Sequence, residues 1–130
     1  MNAAILNQYK IEFKIIKNNL GDNKPKAMPT DWTNALSLHI VDLLFYYYPF
    51  VDLFNHQIEQ INKAQSNIPY DPLDDGGTEF VSVEFGWPNC TIKSIGGYNR
   101  PPQTIPSNDL KEILLSWIEF LEDNDFVEEW

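Results

Sequence analysis

The sequence predicts a single α+β domain, and three observations carry that prediction. Ser107 to Leu121 repeats apolar residues at helical spacing, residues 79 to 95 alternate and turn as an antiparallel hairpin does, and Thr30 to Gln65 reads as two consecutive helices. Elements of both kinds in separate stretches, without a repeating strand and helix unit, give a small antiparallel sheet with helices packed on it. No internal repeat is visible, so residues 1–130 are expected to form one domain.

The first segment fits two patterns. Tyr9, Ile11, Phe13 and Ile15 alternate with Lys10, Glu12 and Lys14 as a half-buried strand would, while Leu6, Tyr9, Phe13, Ile16 and Leu20 fit a helix ending at Gly21. The alternation favours a strand over residues 5–20, with the helix left open. Residues 21–30 hold Asp22, Asn23, two lysines and two prolines, which predicts an exposed loop. Thr30 or Asp31 can then cap a central helix carrying Trp32, Leu36, Ile40, Leu43 and Leu44 and running toward Pro49. After Pro49, the spacing of Phe50, Phe54, Ile58 and Ile61 predicts a second helix to about Gln65, with Gln57, Gln60, Asn62 and Lys63 turned away from the core.

Residues 66–78 contain the proline, aspartate and glycine chemistry of turns and predict a long acidic loop. Val81, Val83 and Phe85 alternate with Ser82 and Glu84, Trp87-Pro88-Asn89 can turn, and Cys90 to Ile95 is a second strand. Tyr98 to Pro106 holds three prolines and is expected to be irregular. Ser107 can cap the last helix, in which Leu110, Ile113, Leu114, Trp117, Phe120 and Leu121 form one stripe, and a frayed tail is expected over residues 123–130.

Composition narrows the function. A 43% hydrophobic content with 14% aromatic residues suits a packed domain rather than a disordered chain. Cys90 is the single cysteine, so no internal disulfide can form, and the start of the chain lacks a basic leader followed by a sustained apolar stretch. The mature chain is therefore expected to begin near Met1 and to reside in a reducing cytoplasm. Asp42, Pro49 and Asp52 interrupt the most apolar stretch, Ile40 to Phe54, which is shorter than the ~20 residues of a membrane helix. The net charge is −10, and its halves differ: residues 1–26 carry five lysines against Glu12 and Asp22, whereas residues 105–130 carry eight acids against Lys111. That field disfavours direct binding to nucleic acid or to an anionic membrane and favours a basic partner.

Few motifs bear on chemistry. His39 with Asp42, and His56 with Glu59, are spaced to share helix faces and could together supply four metal ligands, the one enzyme reading the sequence offers. Histidine three residues before an acid is a common pattern, the usual bundle order is reversed, and His39 lies among core residues, so no metal or other cofactor is expected. The Asp71-Pro-Leu-Asp-Asp-Gly run lacks two ligands of a calcium loop, with Leu73 and Ser82 at the required positions. Cys90 has no charged neighbour to activate it, and neither Gly76-Gly77 nor Gly96-Gly97 stands in a phosphate-binding context. A non-enzyme is expected. The candidate contact surface is Glu119, Glu122, Asp123, Asp125, Glu128, Glu129 and Trp130, extended by Asp74 and Asp75 if the acidic loop folds to the same side.

Ser107-Asn-Asp-Leu-Lys-Glu-Ile-Leu-Leu-Ser-Trp-Ile-Glu-Phe-Leu121, after a hairpin and a proline-rich loop in a short acidic chain, resembles the C-terminal helix of bacterial immunity proteins of polymorphic-toxin and contact-dependent growth-inhibition systems. The likeness spans some 15 residues and otherwise rests on size and charge. It implies a cytoplasmic protein that neutralises the C-terminal domain of a cognate toxin, often a basic nuclease, with its negative charge standing in for phosphate; a monomer or weak dimer is expected. Such proteins diversify with their toxins, so the resemblance assigns no residue a role. The alternatives are a non-catalytic adaptor or regulatory subunit and, from another class, a metal-dependent enzyme using His39, Asp42, His56 and Glu59.

Overall fold

The computed structural model describes residues 2–47, 51–68, 76–77, 81–94 and 101–126. The elements run α1 (Ala3–Gln8), β1 (Ile11–Lys17), β2 (Asn23–Pro29), α2 (Ala35–Tyr47), α3 (Val51–Gln65), β3 (Gly76–Gly77), β4 (Val81–Glu84), β5 (Asn89–Ser94), β6 (Gln103–Pro106) and α4 (Ser107–Asp123). They form one α+β domain with two antiparallel sheets, a β1–β2 ribbon and a sheet of order β3-β4-β5-β6. One core joins them: Ile40, Leu43 and Leu44 of α2, Phe54 and Ile61 of α3, Val81, Val83 and Ile92 of the sheet, and Leu110, Ile113, Leu114, Trp117 and Leu121 of α4 are all buried.

The alternating pattern is the one realised, over Ile11–Lys17 rather than the whole of residues 5–20, and the helix ending at Gly21 is not formed: of its positions only Leu6 lies in a helix, the short α1, while Phe13 and Ile16 are in β1 and Leu20 is in the turn that follows. Asn2 caps α1 by accepting the Ile5 N–H at 3.2 Å, and Lys10, at φ 56°, turns the chain from helix to strand. The strand then pairs with residues expected to form a loop: Ile11 lies opposite Pro29 and Lys17 opposite Asn23. The Thr30 N–H donates to the Lys10 carbonyl at 2.8 Å and the Asn18 N–H to the Asp22 carbonyl at 2.9 Å, so even-numbered residues of β1 make the ladder bonds. Pro25 and Pro29 therefore fall where the missing N–H would point away from β1. Two prolines that spell a loop locally are compatible with an edge strand.

The same cause explains β6, placed in a stretch expected to be irregular. The Ser107 N–H donates to the Pro88 carbonyl at 2.8 Å, which leaves Pro106, opposite Asn89, at a non-bonded position. The expected hairpin is present, with Val81 opposite Ser94 and Glu84 opposite Thr91. A glycine is needed where it turns, because a Cβ on Gly86 would lie 2.6 Å from the Asn89 carbonyl oxygen.

Three helix expectations are corrected. Neither Thr30 nor Asp31 caps α2. The Asp31 carboxylate instead accepts the hydroxyl and N–H of Thr33, bonds that hold its pKa below the usual range, and Asn34 caps the helix through the Ser37 N–H at 3.0 Å. Trp32 is consequently outside the helix and 65% exposed. Gln57 and Gln60 of α3 are buried, not turned outward. Ser107 begins α4 without capping it, because its hydroxyl donates to the Gly86 carbonyl at 2.6 Å and ties the helix start to the hairpin turn.

Tyr9 links α1 to α4 by donating its hydroxyl proton to the Asp109 carboxylate. Burial, reinforced by that hydrogen bond and by the negative charge, pushes the phenol pKa well up. A raised folded pKa contributes stability that is complete below the ordinary value of about 10 and is lost as pH rises through the folded value. Tyr9→Phe should cost about 1–3 kcal/mol at pH 8, with the difference from the wild type narrowing by pH 11, as denaturant unfolding at the two pH values would measure.

Candidate acidic contact site

The site is built on α4, whose 17 residues bury one face and leave Glu112, Leu115, Glu119, Glu122 and Asp123 exposed. The buried face reaches the β1–β2 ribbon through an aromatic triad. Phe13 meets Trp117 edge-on at 4.8 Å, Trp117 stacks on Phe120 at 5.7 Å, and Phe13 lies 5.5 Å from Phe120. This triad fixes where the last turns of α4 stand relative to the ribbon.

The chain beyond α4 departs from the expected frayed tail as far as it is described. Asp123 is helical, Asn124 sends its side-chain N–H to the Phe120 carbonyl at 2.8 Å, and Asp125 takes φ 58°. The Asp125 N–H donates to the Glu122 carbonyl at 3.2 Å and the Phe126 N–H to the Leu121 carbonyl at 2.8 Å, the paired bonds of a Schellman turn. Phe126 packs against the core, as the apolar residue after such a turn usually does. The sequence signal was hard to see, because glycine normally occupies the position held by Asp125. Asp125→Gly should therefore stabilise the fold by about 0.5–1 kcal/mol in a denaturant titration, since glycine takes a positive φ without the Cβ penalty.

Electrostatically this end of α4 is unusual. The C-terminus of a helix carries partial negative charge and favours cations, yet Glu119, Glu122 and Asp123 lie in or beside the last turn, which has no basic residue. Among the described residues the ion pairs are Lys10–Asp31, Lys14–Glu12, Lys63–Glu59 and Lys93–Glu84, so none neutralises Glu122, Asp123 or Asp125. Glu122, Asp123 and Asp125, all exposed, thus follow one another at a helix end that is closed by a turn and by the packed Phe126. Glu128, Glu129, Trp130, Asp74 and Asp75 lie outside the described residues.

The residues weighed as metal ligands occupy different surroundings. His39 is fully buried, with Nε2 3.1 Å from the Pro101 carbonyl oxygen, whereas His56 is exposed on α3 and has Nε2 3.4 Å from Gln60 Nε2. No group of three or more His, Cys, Asp or Glu among the described residues is placed to hold a metal ion. Cys90 is buried, its Sγ 3.3 Å from the Ser107 hydroxyl. No described helix is long and apolar enough to cross a membrane. No family model, curated protein or solved structure matches the chain.

Proposed function

We propose that this chain is a cytoplasmic immunity protein that binds a cognate bacterial toxin domain, a basic nuclease, and neutralises it without catalysis of its own. The observation that carries the reading is the cluster of carboxylates at the end of α4, where the helix dipole opposes them and no described cation pairs with Glu122, Asp123 or Asp125. Charges placed against a local stabilising rule are expected where a site serves binding. A cationic partner relieves both the mutual repulsion and the dipole conflict, and the field steers its approach. The resemblance of Ser107 to Leu121 to immunity-protein helices supports the same reading.

The test is genetic and direct. The gene should follow that of a large toxin, and co-expression of this chain should rescue cells from that toxin's C-terminal domain. An adjacent gene without a toxin domain, or a toxin domain that still kills in the presence of this protein, would overturn the reading.

A further inference from the structure

The β1–β2 ribbon departs from the rest of the molecule in charge and in pairing. Residues 10–26 hold five lysines against Glu12 and Asp22, a local balance of +3 in a chain of net charge −10. Beyond Phe13 the ribbon is largely exposed, with Ile15 at 45%, Ile16 at 38% and Leu20, at its tip, at 85%. The tip is held by Asn18, whose Oδ1 accepts the N–H groups of Leu20 and Asp22 at 2.9 and 3.0 Å, and by Gly21 at φ 82°. Lys14 stands directly opposite Lys26 and pairs with Glu12 at 3.1 Å, whereas Lys17, Lys24 and Lys26 have no ion-pair partner among the described residues.

The two edges of the ribbon differ. Because the even-numbered residues of β1 bond to β2, the N–H groups of Ile11, Phe13, Ile15 and Lys17 point to the outer edge, where no described strand pairs with them. On the outer edge of β2 the corresponding positions are Asn23, Pro25, Ala27 and Pro29, so two of the four donors are missing. Proline and lysine are the usual protection of an exposed edge, and here proline protects one side alone.

We propose that the outer edge of β1 is a docking site for an extended acidic segment of a partner protein, which adds to the ribbon as a third strand. The main-chain donors and acceptors of the odd-numbered residues supply the pairing, and Lys17, Lys24 and Lys26 select carboxylates on the incoming strand. Ile15 and Ile16 offer apolar contacts on opposite faces. The proposal does not depend on the function proposed for the acidic end of α4.

The probe is a blocked seven-residue peptide alternating glutamate with valine, followed by amide chemical shifts of the whole protein at low and high salt. The peptide should shift Phe13, Ile15 and Lys17 selectively and bind more weakly as salt rises, while its lysine-for-glutamate counterpart should not bind. Ile15→Pro removes an outward donor and leaves the β1–β2 bonds in place, so it should weaken binding at least tenfold. The double variant Lys24→Glu with Lys26→Glu, which changes exposed side chains, should weaken it to a similar extent and stands if Ile15→Pro fails to fold. No shift at millimolar peptide, equal binding of the lysine peptide, or unchanged affinity in the folded variants would overturn the proposal. Concentration-dependent self-association lost in the Ile15→Pro variant would also overturn it, by assigning the edge to a second copy of this chain.

Discussion

Trp117→Ala is expected to lower the stability of the domain by about 3–5 kcal/mol, the largest single effect predicted for a side chain here. The indole is 1% exposed and touches both Phe13 of the ribbon and Phe120 of its own helix, so truncation opens a cavity at the junction of β1 and α4. Small domains are stable by about 5–15 kcal/mol in total, which leaves the variant marginal. Its indole nitrogen has no hydrogen-bond partner among the described residues, so Trp117→Phe should be much milder, losing packing but no polar contact. Thermal unfolding of the two variants checks this: a drop of roughly 10–20 °C is expected for alanine and a clearly smaller one for phenylalanine. Similar small losses for both would mean that the triad does not anchor the ribbon.

The second large effect concerns binding. Reversing Glu122, Asp123 and Glu128 to lysine should slow association with the basic toxin domain about tenfold or more at low salt, the difference shrinking as salt screens the field. The same substitutions should do the opposite to the free protein. Lysine in the last turn of α4 agrees with the helix dipole, so the changes at Glu122 and Asp123 should each stabilise the fold by about 0.3–1 kcal/mol. A purely structural role for these acids would make the reversal destabilising or neutral and leave the association rate alone. Stopped-flow association and denaturant unfolding, measured on one variant, distinguish the two.

Where the sequence was legible, periodicity and burial agreed. Leu110, Ile113, Leu114, Trp117 and Leu121 are buried as their spacing predicts, Phe120 is half-buried beside them, and the alternation of Val81, Val83 and Phe85 marks the first hairpin strand together with its inward face. Proline is ambiguous at β2 and β6, because locally it favours a loop while the deciding factor is which way the absent N–H would point in the ladder, and that is set by long-range pairing. Lys10 hid the boundary between α1 and β1, since a lysine at positive φ leaves no mark in the sequence. The burial of Gln57 and Gln60 came from tertiary packing, which propensity does not encode.

The candidate site divides in the same way. That acids accumulate toward the C-terminus was plain from composition. That Asp125 closes a Schellman turn and brings Phe126 back to the core was not, because glycine is the residue that announces this turn. Of the stretch expected to be a loose tail, residues 123–126 continue the helix and its closing turn, and Phe126 packs against the core. The carboxylates ahead of it are therefore presented on an ordered helix end, which lowers the conformational cost of engaging a partner.

If the acidic end of α4 receives a basic partner, as proposed, the decisive quantity is the association rate constant with the proposed toxin domain, followed across ionic strength. A one-to-one complex is expected, with an association rate that falls steeply with salt in the wild type and only shallowly in the Glu122, Asp123 and Glu128 reversal variant. Equal rates and equal salt slopes for the two proteins would contradict it.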